Sequence, residues 1–288
     1  MHYDLLISAG QLQELLANKT AVRIFDCTFD LADAASGHRQ YLESHIPGAV
    51  YAHLDTALSD KHGTGVSGGR HPLPPREKFA IWLSNVGMAN NMQAVVYDRN
   101  GANYCGRLWW MLKWAGHANV AVLDGGLQAW QAAGGSVTSG EEAAHFQTSF
   151  NLAPELSKLV ATKNVADNLG RPIQTLMDAR GAPRFRGEVE PLDPIAGHIP
   201  GALNRPFSQN IGTDGKFKPA DVLRAEFEAL LAGRDPASVV HHCGSGVSAV
   251  PNILAMQLAG LGNSSTTGLY AGSWSDWCSD STRPMAQG

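Results

Sequence analysis

The residues with the clearest chemical potential lie in the stretch VVHHCGSGVSAVPNILAMQLAGLG, residues 239–262. Cys243 follows a short apolar run and precedes small residues, among them Gly244 and Gly246. Because glycine has no Cβ atom, backbone N–H groups in such a loop can converge on the cysteine sulfur. Convergent N–H groups favour the thiolate, which is the nucleophilic form of cysteine. The pattern therefore predicts a nucleophilic Cys243, and the alternative is a small buried residue at a strand end.

The flanking residues predict the elements that position this cysteine. Val239 and Val240 are typical of a buried strand. Pro251 fits a helix only near its first turn, so a helix is predicted to begin shortly before it and to continue toward Leu261. A helix N-terminus carries roughly half a positive charge, which favours a nearby anion. Cys243 is thus expected to open a strand-to-helix loop.

A second enzyme class with cysteine in such a loop is the cysteine-dependent phosphatases. These enzymes need an arginine that grips the phosphate, six residues after the cysteine. Here that position is Ala249. A phosphatase is therefore disfavoured.

The two halves of the chain carry similar segments in the same order. The pairs are RIFDCTF with TLMDARG, ESHIPGAVYAHL with AGHIPGALNRPF, AVVYDRNG with SVVHHCGS, and LDGGLQAW with LYAGSWSDW. Such a repeat predicts a duplicated architecture. We expect a first domain at residues 1–138, a linker at 139–155 and a second domain at 156–288.

Short β-branched runs alternate with helical patterns within each half. Examples are the runs AVRIFD, QAVVYD and VAVLD and the helical patterns GQLQELLAN and CGRLWWMLKWAGH. This alternation predicts an α/β fold in which each domain has a mainly parallel sheet flanked by helices. Ligand sites are expected at the carboxyl ends of the strands. The aromatic residues of LWWMLKW are expected to be core or domain-contact residues rather than a cofactor site.

Composition excludes several classes of function. The chain has 288 residues, 44% hydrophobic and 17% charged, with a net charge of −4, which disfavours nucleic-acid binding. It has no apolar run long enough to cross a bilayer and no signal-peptide pattern, so a cytoplasmic protein is predicted. The four cysteines are scattered without C-x-x-C or zinc-ligand spacing, so they are expected to be free thiols with no metal site.

The motifs HIPGA in both halves, LDGGLQAW, CGSGVSA and YAGSWSDW resemble the tandem-domain sulfurtransferases of the rhodanese superfamily. The loop is similar to the C-G-S-G-V-T form of the 3-mercaptopyruvate type, with Ser248 in place of threonine, rather than to the C-R-K-G form of the thiosulfate type. The resemblance implies two rhodanese domains, a persulfide intermediate on Cys243 and no metal or organic cofactor. It also implies an inactive first domain, in agreement with Asp98 or Arg99 at the position that matches the cysteine.

The resemblance implies a catalytic triad beside the nucleophile. Ser245 of the loop is expected to join His71 and Asp55, both from the first domain. From the residues alone, His71 also fits an exposed loop histidine and Asp55 a turn residue. The remaining loop residues are expected to surround the sulfur donor; they are Gly244, Gly246, Val247 and Ser248.

Arginines are expected to bind the donor carboxylate, because a guanidinium matches a carboxylate with two parallel hydrogen bonds. Arg184 matches one such arginine of the mercaptopyruvate type. The second is missing, because Leu192 stands at its position. Arg205 is hypothesised to replace it, and Arg180 is a further candidate.

The predicted function is transfer of a sulfane sulfur from 3-mercaptopyruvate to a thiol or cyanide acceptor. Candidate acceptors include a thioredoxin-like reductant. Two alternatives stay open. One is a thiosulfate sulfurtransferase, and the other is a relay module that carries a persulfide to a protein partner.

Overall fold

The computed structural model of the protein describes residues 2–263 and 265–288, and these form two compact units. The first unit contains the residues up to Asp60, Pro74–Leu156 and Thr213–Phe217. The second unit contains Lys61–Leu73, Ser157–Gly212 and Lys218–Gly288. The second unit therefore includes one segment from the first half of the sequence.

The first unit is built on a parallel sheet. Its strands are β1 (Leu6–Ile7), β2 (Val22–Asp26), β3 (Val50–Tyr51), β4 (Gln93–Tyr97) and β5 (Val120–Leu123). Its helices are α1 (Ala9–Ala17), α2 (Ser36–Glu43), α3 (Arg76–Asn85), α4 (Cys105–Trp114) and α5 (Gly126–Ala132). Within the described residues the sheet has five strands in the order β1-β5-β4-β2-β3, and every neighbouring pair is parallel.

The second unit repeats this arrangement. Its strands are β6 (Lys158–Leu159), β7 (Thr175–Asp178), β8 (Leu203–Asn204), β9 (Val239–His242) and β10 (Gly268–Leu269). Its helices are α6 (Thr162–Asp167), α7 (Ala182–Phe185), α8 (Ala220–Leu231), α9 (Val250–Leu258) and α10 (Ser273–Trp277), with 3-10 turns at Phe207–Asn210 and Pro236–Ser238. The strand order, β6-β10-β9-β7-β8, is that of the first sheet. The prediction of two α/β domains with mainly parallel sheets is confirmed.

The central strands β4 and β9 are buried at every residue. Helices cover both faces of such a sheet, which explains why these strands are largely apolar runs without alternation. The residue after each central strand lies at the carboxyl edge of its sheet, where ligands of α/β proteins bind. In the first unit that residue is Asp98, and in the second it is Cys243.

Helix α4 is buried along its whole length, including Trp109 and Trp110. The expectation that the LWWMLKW stretch is core is therefore confirmed. No helix among the described residues is both long and apolar enough to cross a bilayer.

The predicted linker, residues 139–155, has no helix or strand and belongs to the first unit. The Gly140 N–H donates to the Leu42 carbonyl at 2.8 Å, and the Thr148 N–H donates to the Ser84 carbonyl at 3.0 Å. These bonds hold the segment along the surface of that unit.

Candidate active site

Cys243 follows β9 and precedes α9, the arrangement predicted from its flanking sequence. Helix α9 begins at Val250, with Pro251 in its first turn, where the missing N–H costs no hydrogen bond. Cys243 is buried, with 2% of its surface exposed. Residues 243–249 therefore form a strand-to-helix loop at the carboxyl edge of the second sheet.

The loop is held against the chain that leads into α10. The Cys243 N–H donates to Ser273 Oγ at 3.1 Å, and the Trp274 N–H donates to the Cys243 carbonyl at 3.0 Å. Gly246 has a φ of +73°, and a Cβ atom there would lie 2.7 Å from Ala271 Cα. Both the backbone angle and the close approach require glycine at this position.

Ser245 and His71 form a hydrogen-bonded pair beside the cysteine. Ser245 Oγ lies 2.8 Å from His71 Nδ1, and which of the two atoms donates depends on the imidazole tautomer. The two residues are 5% and 3% exposed. Because Ser245 is only two residues after Cys243, the pair can move a proton near the reacting sulfur.

His71 reaches this loop because Lys61–Leu73 packs with the second unit. The Arg70 N–H donates to Ser275 Oγ at 3.1 Å. The domain boundaries predicted from the sequence assigned His71 to the first domain. In the structure, the contacts of this segment group it with the second unit.

Asp55, the third member of the implied triad, belongs to the first unit. Its N–H donates to His53 Nδ1 at 3.1 Å. The part of Asp55 in catalysis stays a prediction from the resemblance.

Two arginine side chains lie over Gly244. A Cβ atom built on Gly244 would lie 2.9 Å from Arg70 Nη2 and 3.5 Å from Arg184 Nη1. In the part of the chain that the structure describes, neither of these nitrogens donates a hydrogen bond to a protein atom. The two side chains are 27% and 21% exposed, so both guanidinium groups are accessible. Such a pair suits a small carboxylate.

Buried carboxylates hold the other nitrogens of these arginines. Asp193 accepts from Arg70 Nη1, and its other oxygen accepts from Arg184 Nη2 at 3.2 Å. Glu190 accepts from Arg184 Nη2 at 2.6 Å and from Nε at 3.3 Å. The Asp193 and Glu190 side chains are 2% and 4% exposed. These bonds fix both guanidinium groups beside the loop.

Arg180 lies deeper in the second unit. Its guanidinium donates to both carboxylate oxygens of Asp178, at 2.7–3.2 Å, and lies 4.9 Å from the centre of the Trp274 ring. Burial lowers the pKa of Arg180, but the negative charges of Asp178, Glu190 and Cys243 outweigh it and raise that pKa above its usual value. Arg180 is therefore a buried cation held by carboxylates of the second unit, and only 4% of its surface is exposed.

Arg205 does not replace the missing arginine in this structure. It is 4% exposed, and its Nε and Nη2 donate to Asn210 Oδ1 at 2.8 Å and to Glu226 Oε2 at 2.7 Å. Two nitrogens of its guanidinium are thus already hydrogen-bonded within the second unit. Leu192 is 43% exposed and supplies no charge. We therefore replace the Arg205 hypothesis with Arg70.

The remaining loop residues differ in exposure. Val247 is 4% exposed, and its carbonyl accepts from the Val250 N–H at 3.1 Å, which begins α9. Ser248 is partly exposed. Val247 therefore anchors the loop to the helix, and Ser248 lies nearer its surface.

The other three cysteines lie in environments that suppress reactivity. Burial raises the pKa values of Cys27 and Cys105 well above the usual range, and burial also raises the pKa of Cys278. All three are free thiols. Among the described residues, no group of His, Cys, Asp and Glu side chains is arranged to hold a metal ion.

Asp98 occupies the matching position in the first unit. Its Oδ1 accepts from the N–H groups of Asn100 and Ala102 at 2.8 and 3.1 Å. Its Oδ2 accepts from the N–H groups of Tyr104 and Cys105 at 2.8 and 2.9 Å. Four backbone donors thus hold one buried carboxylate in place of a nucleophile.

The sequence interpretation missed Arg70 and Asp193. Arg70 directly precedes the predicted catalytic histidine in GGRHPLP, so a cation beside that histidine was a usable signal. Asp193 lies next to Leu192 in EVEPLD. Its pairing with Arg70 joins distant parts of the chain, and no local pattern indicates such a contact.

Comparisons with known proteins identify the family of this chain. The rhodanese-like domain profile matches residues 8–133 and 153–280. The chain is 44% identical over 284 residues, 98% of both chains, to a Pseudomonas aeruginosa protein named "Probable 3-mercaptopyruvate sulfurtransferase". It is 32% identical to the thiosulfate sulfurtransferase of Bos taurus, over 96% of this chain and 92% of the other. The crystal structure of the 3-mercaptopyruvate sulfurtransferase SseA from Escherichia coli matches with a TM-score of 0.79 and 30% identity, over 95% of this chain and all of that one. The chain belongs to the rhodanese family and contains two rhodanese-like domains.

Proposed function

We propose that the protein is a sulfurtransferase that takes sulfur from 3-mercaptopyruvate and passes it to a thiol or to cyanide. The observation that carries this proposal is that Ser245, two residues after Cys243, bonds to His71, and that two arginine nitrogens lie close to Gly244. Nucleophile, proton carrier and carboxylate site all come from the second unit. The Pseudomonas aeruginosa relative, which is named a probable 3-mercaptopyruvate sulfurtransferase, supports the same activity.

In the first half of the reaction, the Cys243 thiolate attacks the sulfur of 3-mercaptopyruvate. A bond forms between the two sulfur atoms, and the carbon–sulfur bond of the donor breaks. The electron pair of that bond stays on carbon as the enolate of pyruvate. The enolate then takes a proton, which leaves pyruvate and a persulfide on Cys243.

Ser245 and His71 supply the route for that proton. The donor thiol gives up its proton as the sulfur is transferred, and the enolate carbon needs one proton. A hydroxyl hydrogen-bonded to an imidazole can pass a proton between these two positions without net consumption. Asp55 remains in the proposal on the strength of the resemblance alone. Its expected part is to orient His71 or to stabilise the protonated imidazole.

Arg70 and Arg184 bind the donor carboxylate. Arg70 Nη2 and Arg184 Nη1 both approach Gly244, the residue next to the nucleophile. A carboxylate held there places the rest of a three-carbon donor within reach of Cys243. Arg180 adds positive potential from the buried side of the loop.

In the second half of the reaction, an acceptor thiolate or cyanide attacks the outer sulfur of the persulfide. The sulfur–sulfur bond breaks and the Cys243 thiolate is restored. A thioredoxin-like reductant as acceptor and a cytoplasmic location are part of this proposal and rest on the sequence.

Thiosulfate is the second candidate donor, because several full-length relatives are named thiosulfate sulfurtransferases, some of them as putative. The test is to assay both donors on the wild type, Cys243→Ser and Ser245→Ala. We expect Cys243→Ser to abolish transfer from both, and Ser245→Ala to slow 3-mercaptopyruvate far more, because thiosulfate leaves no enolate to protonate. Equal slowing of both donors by Ser245→Ala would count against the proton route. A persulfide that only a protein partner discharges would favour the relay module instead.

A further inference from the structure

The arginines over Gly244 belong to a buried cluster in which positive and negative charges balance. We call it the arginine cluster. In the described part of the chain it contains three cations and three anions, namely Arg70, Arg180, Arg184, Asp178, Glu190 and Asp193. Its net charge is zero, although two of its arginines face the nucleophile loop.

The carboxylates of the cluster divide their contacts unequally. Asp178 pairs with Arg180, and Glu190 pairs with Arg180 and Arg184. Asp193 pairs with Arg70 and Arg184, the two arginines that approach Gly244. Asp193 is therefore the carboxylate that neutralises the accessible end of the cluster.

We propose that Asp193 sets the donor preference of the site by limiting it to one negative charge. This inference rests on the proposed function and names the donor class of the same site. 3-Mercaptopyruvate brings one carboxylate, which the two remaining arginine nitrogens can bind. Thiosulfate brings two negative charges, and Asp193 repels the second at short range where water is partly excluded.

Asp193 acts through the arginines, so it is a positioning residue as well as a charge. Its two effects can be separated by substitution. Asp193→Asn keeps the size and one acceptor oxygen but removes the charge. Asp193→Glu keeps the charge and alters the distance.

The experiment compares kcat/KM for thiosulfate and for 3-mercaptopyruvate, at low salt, on these variants. We expect Asp193→Asn to raise the thiosulfate-to-mercaptopyruvate ratio by about fivefold or more, mainly through a lower KM for thiosulfate. Asp193→Glu should keep the wild-type ratio. The matched control is Glu188→Gln, the same chemical change in the same loop at an exposed residue that pairs with Arg186; its ratio should not move.

Arg70→Gln supplies an independent test if Asp193→Asn does not fold. Removing this cation should lower the same ratio, because the dianion loses more attraction than the monoanion. A ratio unchanged in both Asp193→Asn and Arg70→Gln overturns the inference, even if both variants are slower. A change of the ratio in Asp193→Glu as large as that in Asp193→Asn also overturns the inference, because the change would then come from geometry and not from charge.

A binding measurement separates this inference from the proposed function. If the wild type forms no persulfide with either donor, the proposed function fails. In that case, thermal unfolding in sulfate and in acetate at equal ionic strength still tests whether Asp193 limits the site to one negative charge. Asp193→Asn should gain more stabilisation from sulfate than the wild type does, with a smaller gain in acetate, and equal gains in the two anions would overturn the claim.

Discussion

The loops that contain Asp98 and Cys243 occupy the same place in two sheets of identical strand order. In the first unit, four backbone N–H groups donate to the Asp98 carboxylate and hold it in the loop. In the second unit the residue is a cysteine, and Ser245, His71 and two arginines lie beside it. The comparison teaches that the same loop position holds a carboxylate bound by backbone donors in one unit and a cysteine in the other. Under the proposed function, sulfur transfer takes place only at the cysteine.

The largest effect should come from removing that sulfur. Cys243→Ser is expected to lower sulfur transfer from 3-mercaptopyruvate by about a thousandfold or more, because a serine hydroxyl is not ionised and forms no persulfide. The measurement is steady-state release of pyruvate with an acceptor thiol. Cys105→Ser, beside the Asp98 loop, is the control and should retain transfer. Residual turnover of Cys243→Ser near the wild-type rate would mean that the two loops do not differ as described.

The second largest effect should come from the proposed proton route, which only the Cys243 loop has. His71→Asn should reduce kcat for 3-mercaptopyruvate by about a hundredfold to ten-thousandfold. The effect on thiosulfate should be much smaller, since that donor releases no enolate. His62→Asn changes an exposed histidine of the same segment and should leave both rates unchanged. The interpretation fails if His71→Asn slows the two donors alike.

The Asp98 loop should show the largest effect on stability. Asp98→Asn puts an amide group among four backbone donors, so at least one N–H loses its acceptor and the charge assistance is gone. We expect the free energy of unfolding to fall by about 2–4 kcal/mol, measured by chemical denaturation. Cys243→Ser, at the matching position, should change it by less than about 1 kcal/mol. An Asp98→Asn variant with the same free energy of unfolding as the wild type would show that the carboxylate does not hold its loop.

Buried histidines make both units sensitive to acid. Burial lowers the pKa of His117, in the first unit, to about 4, and that of His241, in the second, to about 3. Below about pH 6.5 the unfolded chain binds protons that these folded imidazoles do not, so stability falls as pH falls.

Each histidine should lower the free energy of unfolding by up to about 1.4 kcal/mol per pH unit between about pH 6 and 4.5. His117→Gln or His241→Gln should make that slope shallower by about this amount, as measured by urea unfolding at several pH values. Substitution of exposed His62 should not change the slope. An unchanged slope in the buried variants would mean that the folded chain protonates these rings.

The sequence was sufficient to predict the repeat, the parallel α/β sheets and the loop that opens at Cys243. Those features are local. The largely apolar run QAVVY forms a central strand because both of its faces are covered, and Pro251 restricts where helix α9 can begin. The similar motifs in both halves then predicted the duplicated architecture.

The arginine assignments required the structure. Arg205 was the hypothesised replacement for the missing arginine, yet its guanidinium donates to Glu226 of α8, 21 residues away in sequence. Arg70 lies in the first half of the sequence but packs with the second unit, so the repeat boundaries separated it from its site. Ion pairs between distant segments depend on packing and leave no periodic signal.

The measurement that tests the central claim most directly is mass spectrometry of the intact protein after one equivalent of 3-mercaptopyruvate, followed by peptide mapping. The account predicts a gain of about 32 mass units, one sulfur atom, on the peptide that contains Cys243 and its loss on addition of a thiol acceptor. A protein that gains no sulfur, or gains it at Cys27, Cys105 or Cys278 instead, would contradict the account.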